Sequence, residues 1–385
     1  MTDTFSKPTQ GFRIRPGHPP NEGIVFVNHQ ARQRSGHGGN CLTECHNGDI
    51  LAFYSNVSGD LHKGHGIDGW SEYRRSSDGG ETWGEPMVLP YSKQAWEGDD
   101  VYAALVFGVT TADNGDVIAF ACQFAEGLWV KAGPPVVLVS HDQGQTWDPP
   151  RPLTPDATVD DASLTFDATL VHEGVVYVVF MSGAANYCPG PYAMYASTDH
   201  GRTFELRSRL PFHQQNYYVT AGVLDDGSII VYSYPYRTQE PINEHDIDYV
   251  ISSDGGRTWS DVSTTHFAKK IRNPQMSAKI GDYYFLHGRS GSLGEEKGHL
   301  VLYASRDGIH WNNGLILRKK TFGGGDAYSA NEVVSKYDPS VPKRLLIQSS
   351  IAYEDGNSRV NEHHWWVEDI AGADHAAGDH PQGQP

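Results

Sequence analysis

Ser76-Ser-Asp-Gly-Gly-Glu-Thr-Trp83 decides the fold because the same turn returns at Ser140-His-Asp-Gln-Gly-Gln-Thr-Trp147, Ser197-Thr-Asp-His-Gly-Arg-Thr-Phe204 and Ser252-Ser-Asp-Gly-Gly-Arg-Thr-Trp259. A shortened copy stands at Ser305-Arg-Asp-Gly-Ile-His-Trp311. In the shared pattern, Ser-x-Asp-x-Gly-x-Thr-aromatic, the Asp can accept backbone N–H groups within the turn. The Gly can take positive φ, and the aromatic ring can anchor the loop in a sheet interface. The Asp residues at 78, 142, 199, 254 and 307 are 64, 57, 55 and 53 positions apart. A repeat of that length is one small antiparallel sheet, and serial repetition of such sheets predicts a β-propeller.

A second repeat runs out of phase with the first. Asn47-Gly-Asp-Ile-Leu-Ala-Phe53, Asn114-Gly-Asp-Val-Ile-Ala-Phe120, Glu173-Gly-Val-Val-Tyr-Val-Val-Phe180 and Asp226-Gly-Ser-Ile-Ile-Val-Tyr232 each join a tight turn to an apolar strand. Gly281-Asp-Tyr-Tyr-Phe-Leu286 is a fifth copy, and Asp338-Pro-Ser340 with Arg344-Leu-Leu-Ile347 a looser sixth. Such turns join neighbouring strands of one sheet. Six hairpins with five boxes predict six four-stranded antiparallel blades, the last lacking its box.

The bulk properties agree with an all-β protein. Of 385 residues, 38% are apolar, with 42 Gly and 20 Tyr, and no long stretch has helical periodicity. The repeat is assigned to 21–370, with an irregular arm at 1–20 and a disordered tail at 371–385, because the tail is poor in bulky apolar residues. Gly23-Ile-Val-Phe-Val27 reads as a strand that completes the last blade by pairing the termini. The net charge of −17 and the lack of a Lys/Arg-rich run argue against nucleic acid and anionic membrane surfaces as partners. Cys41, Cys45, Cys122 and Cys188 have no metal-ligand spacing, and the N-terminus carries no apolar leader. The expectation is a cytoplasmic protein with reduced thiols, although a secreted chain stripped of its leader would read the same. The oligomeric state is left open.

Polar segments stand just before the innermost strand of each blade: His37-Gly-Gly-Asn40, Glu97-Gly-Asp-Asp100, Asp160-Asp161, Gln215-Asn-Tyr-Tyr218, Arg272-Asn-Pro-Gln275 and Asp326-Ala-Tyr328. In a propeller these surround one end of the central channel, which makes them a candidate ligand site. A hydrated channel mouth is the alternative. Asp100, Asp161 and Asn273 are the substrate-binding candidates among them.

Boxes, spacing and blade number together resemble the Asp-box sialidase (neuraminidase) superfamily, over nearly the whole chain. The boxes are structural turns, so the resemblance speaks more for fold than for activity. It implies a retaining glycosidase with a Tyr nucleophile. Ala327-Tyr-Ser-Ala330 looks like the family's Tyr-Ser segment and makes Tyr328 the nucleophile. The family holds the substrate carboxylate with three arginines, whose guanidinium forks match it in geometry and charge. Arg289, in Phe285-Leu-His-Gly-Arg-Ser290, lies where the third is expected, and Arg237, in Tyr234-Pro-Tyr-Arg-Thr238, lies near the second, displaced by a few residues. At the first position, an Arg-Ile-Pro motif in the family, this chain reads Gly38-Gly-Asn40, and the similar Phe12-Arg-Ile-Arg-Pro16 lies too early. Tyr218 occupies the place of the Glu that polarises the nucleophile. The general acid is an Asp in the loop before the first box, either Asp68 or Asp60. A phenol needs a neighbouring base to attack at neutral pH, so the lost Glu puts ordinary sialidase chemistry in question.

Nineteen His residues, including His37, His62, His65, His213 and His287, invite a second comparison, with propeller polysaccharide lyases. Those abstract a proton beside a uronate carboxylate using His or Tyr, with Arg neutralising the carboxylate. His37, Tyr217 or Tyr218, Arg237 and Arg289 supply these residue types. His62-Lys-Gly-His65 with His37 is the one arrangement that suggests Zn²⁺, and such spacing is common in loops; no cofactor or metal is expected. The box tryptophans belong to the core, whereas Trp70, Trp96 and Trp129 suit stacking on a sugar. The leading expectation is a sialidase-like glycoside hydrolase acting on an acidic glycan, with catalytic residues Tyr328, Asp68, His37 and Tyr218 and with Arg237 and Arg289 as clamp. The alternatives are a uronate lyase and a non-catalytic glycan-binding propeller.

Overall fold

The computed structural model describes residues 11–19, 23–27, 34–35, 39–58, 69–98, 102–125, 131–155, 165, 167–181, 191–213, 216–235, 244–291, 297–319, 325–352 and 360–369. Six antiparallel sheets surround a channel, as the repeats predict. Strands β1 (Phe12–Pro16) and β2 (Ile24–Val27) belong to the last blade. The first blade holds β3 (Arg34–Ser35), β4 (Cys41–Glu44), β5 (Ile50–Ser58), β6 (Gly69–Ser76) and β7 (Met87–Val88); β3 and β4 both pair with β5, as two parts of one interrupted inner strand. The second has β8 (Ala103–Thr111), β9 (Val117–Phe124), β10 (Lys131–Ser140) and β11 (Arg151–Pro152). The third has β12 (Thr169–His172), β13 (Val175–Met181), β14 (Tyr192–Ser197) and β15 (Glu205–Arg209). The fourth has β16 (Asn216–Val223), β17 (Ile229–Pro235), β18 (Asp246–Ser252) and β19 (Ser263–His266). The fifth has β20 (Arg272–Met276), β21 (Tyr284–Arg289), β22 (Leu300–Ser305) and β23 (Leu315–Arg318). The sixth has β24 (Gly325–Val334), β25 (Arg344–Ala352) and β26 (Val360–Asp369), and β1 is its outermost strand.

Strands β4, β8, β12, β16, β20 and β24 each touch the next, and β24 touches β4, so the inner ring is closed. Among the described residues one short helix, α1 (Pro90–Glu97), packs on β6 and β8 between the first two blades. Pro90 starts it with a φ already suited to a helix. Residues 12–16, assigned from sequence to an irregular arm, form β1. The expected closing strand, β2, also pairs with β26, so two N-terminal strands meet the last blade. The Arg-Ile-Arg segment thus lies on an outer strand, where Arg13 pairs with Glu368 and Arg15 with Glu81.

Each box joins the third strand of a blade to the fourth, and the Asp holds it shut. Asp199 Oδ1 accepts from Ser197 Oγ at 2.7 Å and Thr203 N at 2.8 Å, and Oδ2 accepts from Thr203 Oγ1 at 2.6 Å. The other full boxes repeat these bonds, and the short box substitutes His310 for Thr. The tryptophans reach back to the preceding blade. Trp147 Nε1 donates to Tyr73 OH at 3.2 Å, Trp259 Nε1 to Ser208 Oγ at 2.8 Å and Trp311 Nε1 to Tyr232 OH at 3.2 Å. Each of those hydroxyls in turn donates to the carbonyl of the box glycine, Gly144, Gly256 or Gly308. The boxes therefore clamp one blade to the one before it. The sixth blade has no box because its fourth strand comes from the other end of the chain, leaving no turn to build.

His364, on β26, is buried among aromatic rings: Trp83 at 5.5 Å between centroids, His18 at 5.8 Å, Phe26 at 6.2 Å and Trp366 at 6.4 Å. Neither ring nitrogen has a hydrogen-bond partner among the described residues. Burial first, and then the neighbouring His18, push its pKa down to about 3. The unfolded chain takes up a proton on this histidine below about pH 6.5, while the folded one stays neutral. Its contribution to stability is complete above that pH and is lost as pH falls toward 3. His364→Phe is therefore expected to gain about 2 kcal/mol on the wild type between pH 7.5 and pH 5, read from urea unfolding at both. A difference independent of pH would refute neutral burial.

Candidate active site

The innermost strands begin irregularly. Ladders are bulged between Val106 and Gly108, Tyr217 and Val219, Arg272 and Gln275, and Asp326 and Ser329. Asp167, Tyr218 and Asn273 have φ of 59°, 52° and 59°, in the left-handed region. A bulged residue leaves the ladder and its side chain is re-aimed. For a tyrosine that conformation costs roughly 1–2 kcal/mol, which the surrounding contacts must offset.

At the mouth between the fourth, fifth and sixth blades these devices bring one arginine among several tyrosines. Arg272 Nη2 donates to Tyr218 OH at 3.2 Å, with the guanidinium 5.3 Å from the centre of the same ring. The Tyr218 ring meets Tyr217 at 4.4 Å, Tyr234 at 6.4 Å and Tyr328 at 6.5 Å. Burial works against the charge of Arg272, but the phenol oxygens of Tyr218, Tyr234 and Tyr328 outweigh it and hold its pKa above the ordinary value. Its Nε is buried without a hydrogen-bond partner among the described residues. Arg272 stands directly across the ladder from Arg289. The bulge that sets this pairing needs Gly288. A Cβ there would lie 2.7 Å from the Arg272 carbonyl oxygen and 2.9 Å from that of Asn273.

A carboxylate stands behind the tyrosines. Tyr234 OH donates to Glu244 Oε1 at 3.2 Å, and Lys270 Nζ lies 3.6 Å from Oε2. Burial, then Glu244, raises the Tyr234 pKa. At the third blade Asp167 is half-buried; desolvation drives its pKa well up, against a bond from Val109 N.

Of the residues singled out from sequence, Tyr328, Tyr218 and Arg289 are brought together here. Asn273, at the β20 bulge, is also part of the group. Asp68, His37, Arg237, Asp100 and Asp161 lie outside the described residues, as do Asp60, His62, His65 and Trp129. Trp70 Nε1 donates to Glu72 Oε1 at 2.9 Å. The four box tryptophans are only partly buried, though each packs on the core. Sequence reasoning missed Arg272, although it opens one of the segments flagged there, and missed Glu244 altogether. Among the described residues no group of three or more His, Cys, Asp or Glu is placed to hold a metal ion, and no helix is long and apolar enough to cross a membrane.

A BNR repeat-like domain matches residues 108–338, well over half of the chain. Similar solved structures include a protein of unknown function from Dyadobacter fermentans, at 13% identity and TM-score 0.66, covering 92% of this chain and 99% of that one. A Hadza microbial sialidase gives 15% and 0.65, covering 91% and 69%. The intramolecular trans-sialidase of Ruminococcus gnavus, solved with oseltamivir carboxylate, gives 12% and 0.63, covering 90% and 97%. No curated protein matches. The chain belongs to the BNR repeat-like family, and its Asp-box propeller has the same fold as the sialidases it resembles. Identities this low establish the fold, with activity a separate matter.

Proposed function

We propose that this protein is a sialidase-like glycoside hydrolase acting on an acidic saccharide, whose carboxylate binds between Arg272 and Arg289. The observation that carries this is the cross-strand opposition of those two arginines beside Tyr218 and Tyr328. A carboxylate placed beside both is gripped by planar forks. Tyr328, giving up its phenol proton to solvent, attacks the anomeric carbon as Asp68 protonates the leaving oxygen and the glycosidic bond breaks; water then cleaves the glycosyl–Tyr328 bond. Arg272 sets positive charge among the phenols, where negative charge develops as a tyrosine gives up its proton. Arg272 stabilises the phenolate where the family's Glu would take up its proton. Incubation with fluorogenic sialosides and with uronate-containing glycans tests the reading, release of fluorophore being the expected result. Tyr328→Phe is expected to lower turnover about 10³-fold with binding retained, and full activity in this variant would sink the nucleophile assignment.

The hydrogen bond from Arg272 to Tyr218 favours a second reading, uronate lyase chemistry with Tyr218 as the proton-transferring group. Unsaturated-product absorbance without fluorophore release would select it. Binding without cleavage would select a glycan-binding propeller.

A further inference from the structure

Beside Tyr328 lies a trio that by residue type resembles a hydrolytic triad: Ser329, His287 and Asn331. His287 Nδ1 is 2.9 Å from Ser329 Oγ, and Nε2 is 2.9 Å from Asn331 Nδ2. Donor bookkeeping gives the trio the opposite polarity. The same Asn331 atom lies 3.4 Å from the Met276 carbonyl oxygen, which can only accept, so it is the amide nitrogen and it donates to Nε2. The ring proton therefore sits on Nδ1 and is donated to Ser329. A serine that accepts a hydrogen bond from histidine cannot pass its own proton to it, so Ser329 is not an activated nucleophile. The ring is wholly buried, which pushes its pKa down to about 3 and keeps it neutral.

What this trio holds is the chain around Tyr328. β24 is bulged between Asp326 and Ser329, so the regular ladder does not fix Tyr328. Ser350 Oγ reaches the Tyr328 carbonyl at 3.5 Å, and His287 grips the next residue, Ser329. We propose that His287 is a positioning residue for Tyr328, locking through Ser329 the bulge that aims the phenol at the channel mouth. This inference rests on the role given to Tyr328 above. Because His287 and Arg289 are two residues apart on β21, one strand sets both the nucleophile and part of the carboxylate clamp, and so the spacing between them.

Two substitutions separate positioning from packing. His287→Gln keeps a donor for Ser329 and an acceptor for Asn331, whereas His287→Leu fills the space with neither. His287→Leu is expected to lower kcat at least 10-fold with KM within about 3-fold, and His287→Gln to stay within about 3-fold of wild type with an unchanged pH profile. Wild-type kcat in His287→Leu overturns the inference. So does loss of a pH limb in His287→Gln, or labelling of Ser329 by a fluorophosphonate. An inactive wild type counts against the proposed function instead, and a second readout does not need turnover. With fluorotyrosine incorporated, the fluorine NMR signal that disappears in Tyr328→Phe is expected to shift or broaden in His287→Leu and to hold its place in His287→Gln. An unmoved signal in His287→Leu overturns the positioning role.

Discussion

Arg272→Ala is expected to lower kcat/KM on a carboxylate-bearing saccharide by roughly 10²- to 10³-fold, about 3–4 kcal/mol of transition-state stabilisation. The change removes one side of the clamp and the hydrogen bond to Tyr218 together. Lysine at this position is expected to recover little, because a point charge does not reproduce a fork that donates to a phenol while gripping a carboxylate. The methyl ester of the same substrate isolates the clamp. Wild type should lose most of its advantage on the ester, whereas the variant should treat acid and ester nearly alike. Equal losses on both substrates would show that Arg272 acts only through Tyr218 and would remove the carboxylate from the proposal.

Gly201→Ala is expected to carry the largest stability cost, about 2–5 kcal/mol, read as a shift in urea midpoint. The box glycine sits at φ +80°, and a Cβ there would lie 2.4 Å from Ile118 Cδ1 and 2.9 Å from its Cγ1 on the preceding blade. Backbone strain supplies roughly 1–2 kcal/mol and overpacking roughly 1–3 kcal/mol. Gly48→Ala is the control. Its φ is +86°, but nothing lies within 4 Å of the added carbon, so strain alone remains. Similar costs at both sites would mean that the boxes do not clamp neighbouring blades.

The fold was legible because its punctuation is local. A box declares itself within eight residues, since the Asp, Gly and aromatic that close the turn are all in it. The strand β1 escaped notice for the opposite reason: five residues with a partner at the far end of the chain carry no local signal. The site divides in the same way. Tyr328, Tyr218 and Arg289 were readable from short segments, but the pairing of Arg272 with Arg289 follows from a bulge at Asn273, whose register no spacing reveals. Glu244 reaches Tyr234 from the connection between β17 and β18, where neither end of the segment points to the contact.

The closure of the sixth blade gives the molecule a particular order of assembly during synthesis. β1 is made first, yet its partner β26 arrives last, with Arg13 meeting Glu368 across 355 positions. Five blades can form behind the ribosome while that first strand waits with an open edge. Arg13, Arg15 and Pro16 suit it to the delay, since charge and proline discourage pairing with the wrong chain. The blade that carries Tyr328 is the last to be completed and needs both ends of the chain. A nascent or interrupted chain therefore holds most of the propeller without the finished blade that carries Tyr328, and any activity that uses the nucleophile proposed above waits for the ring to close.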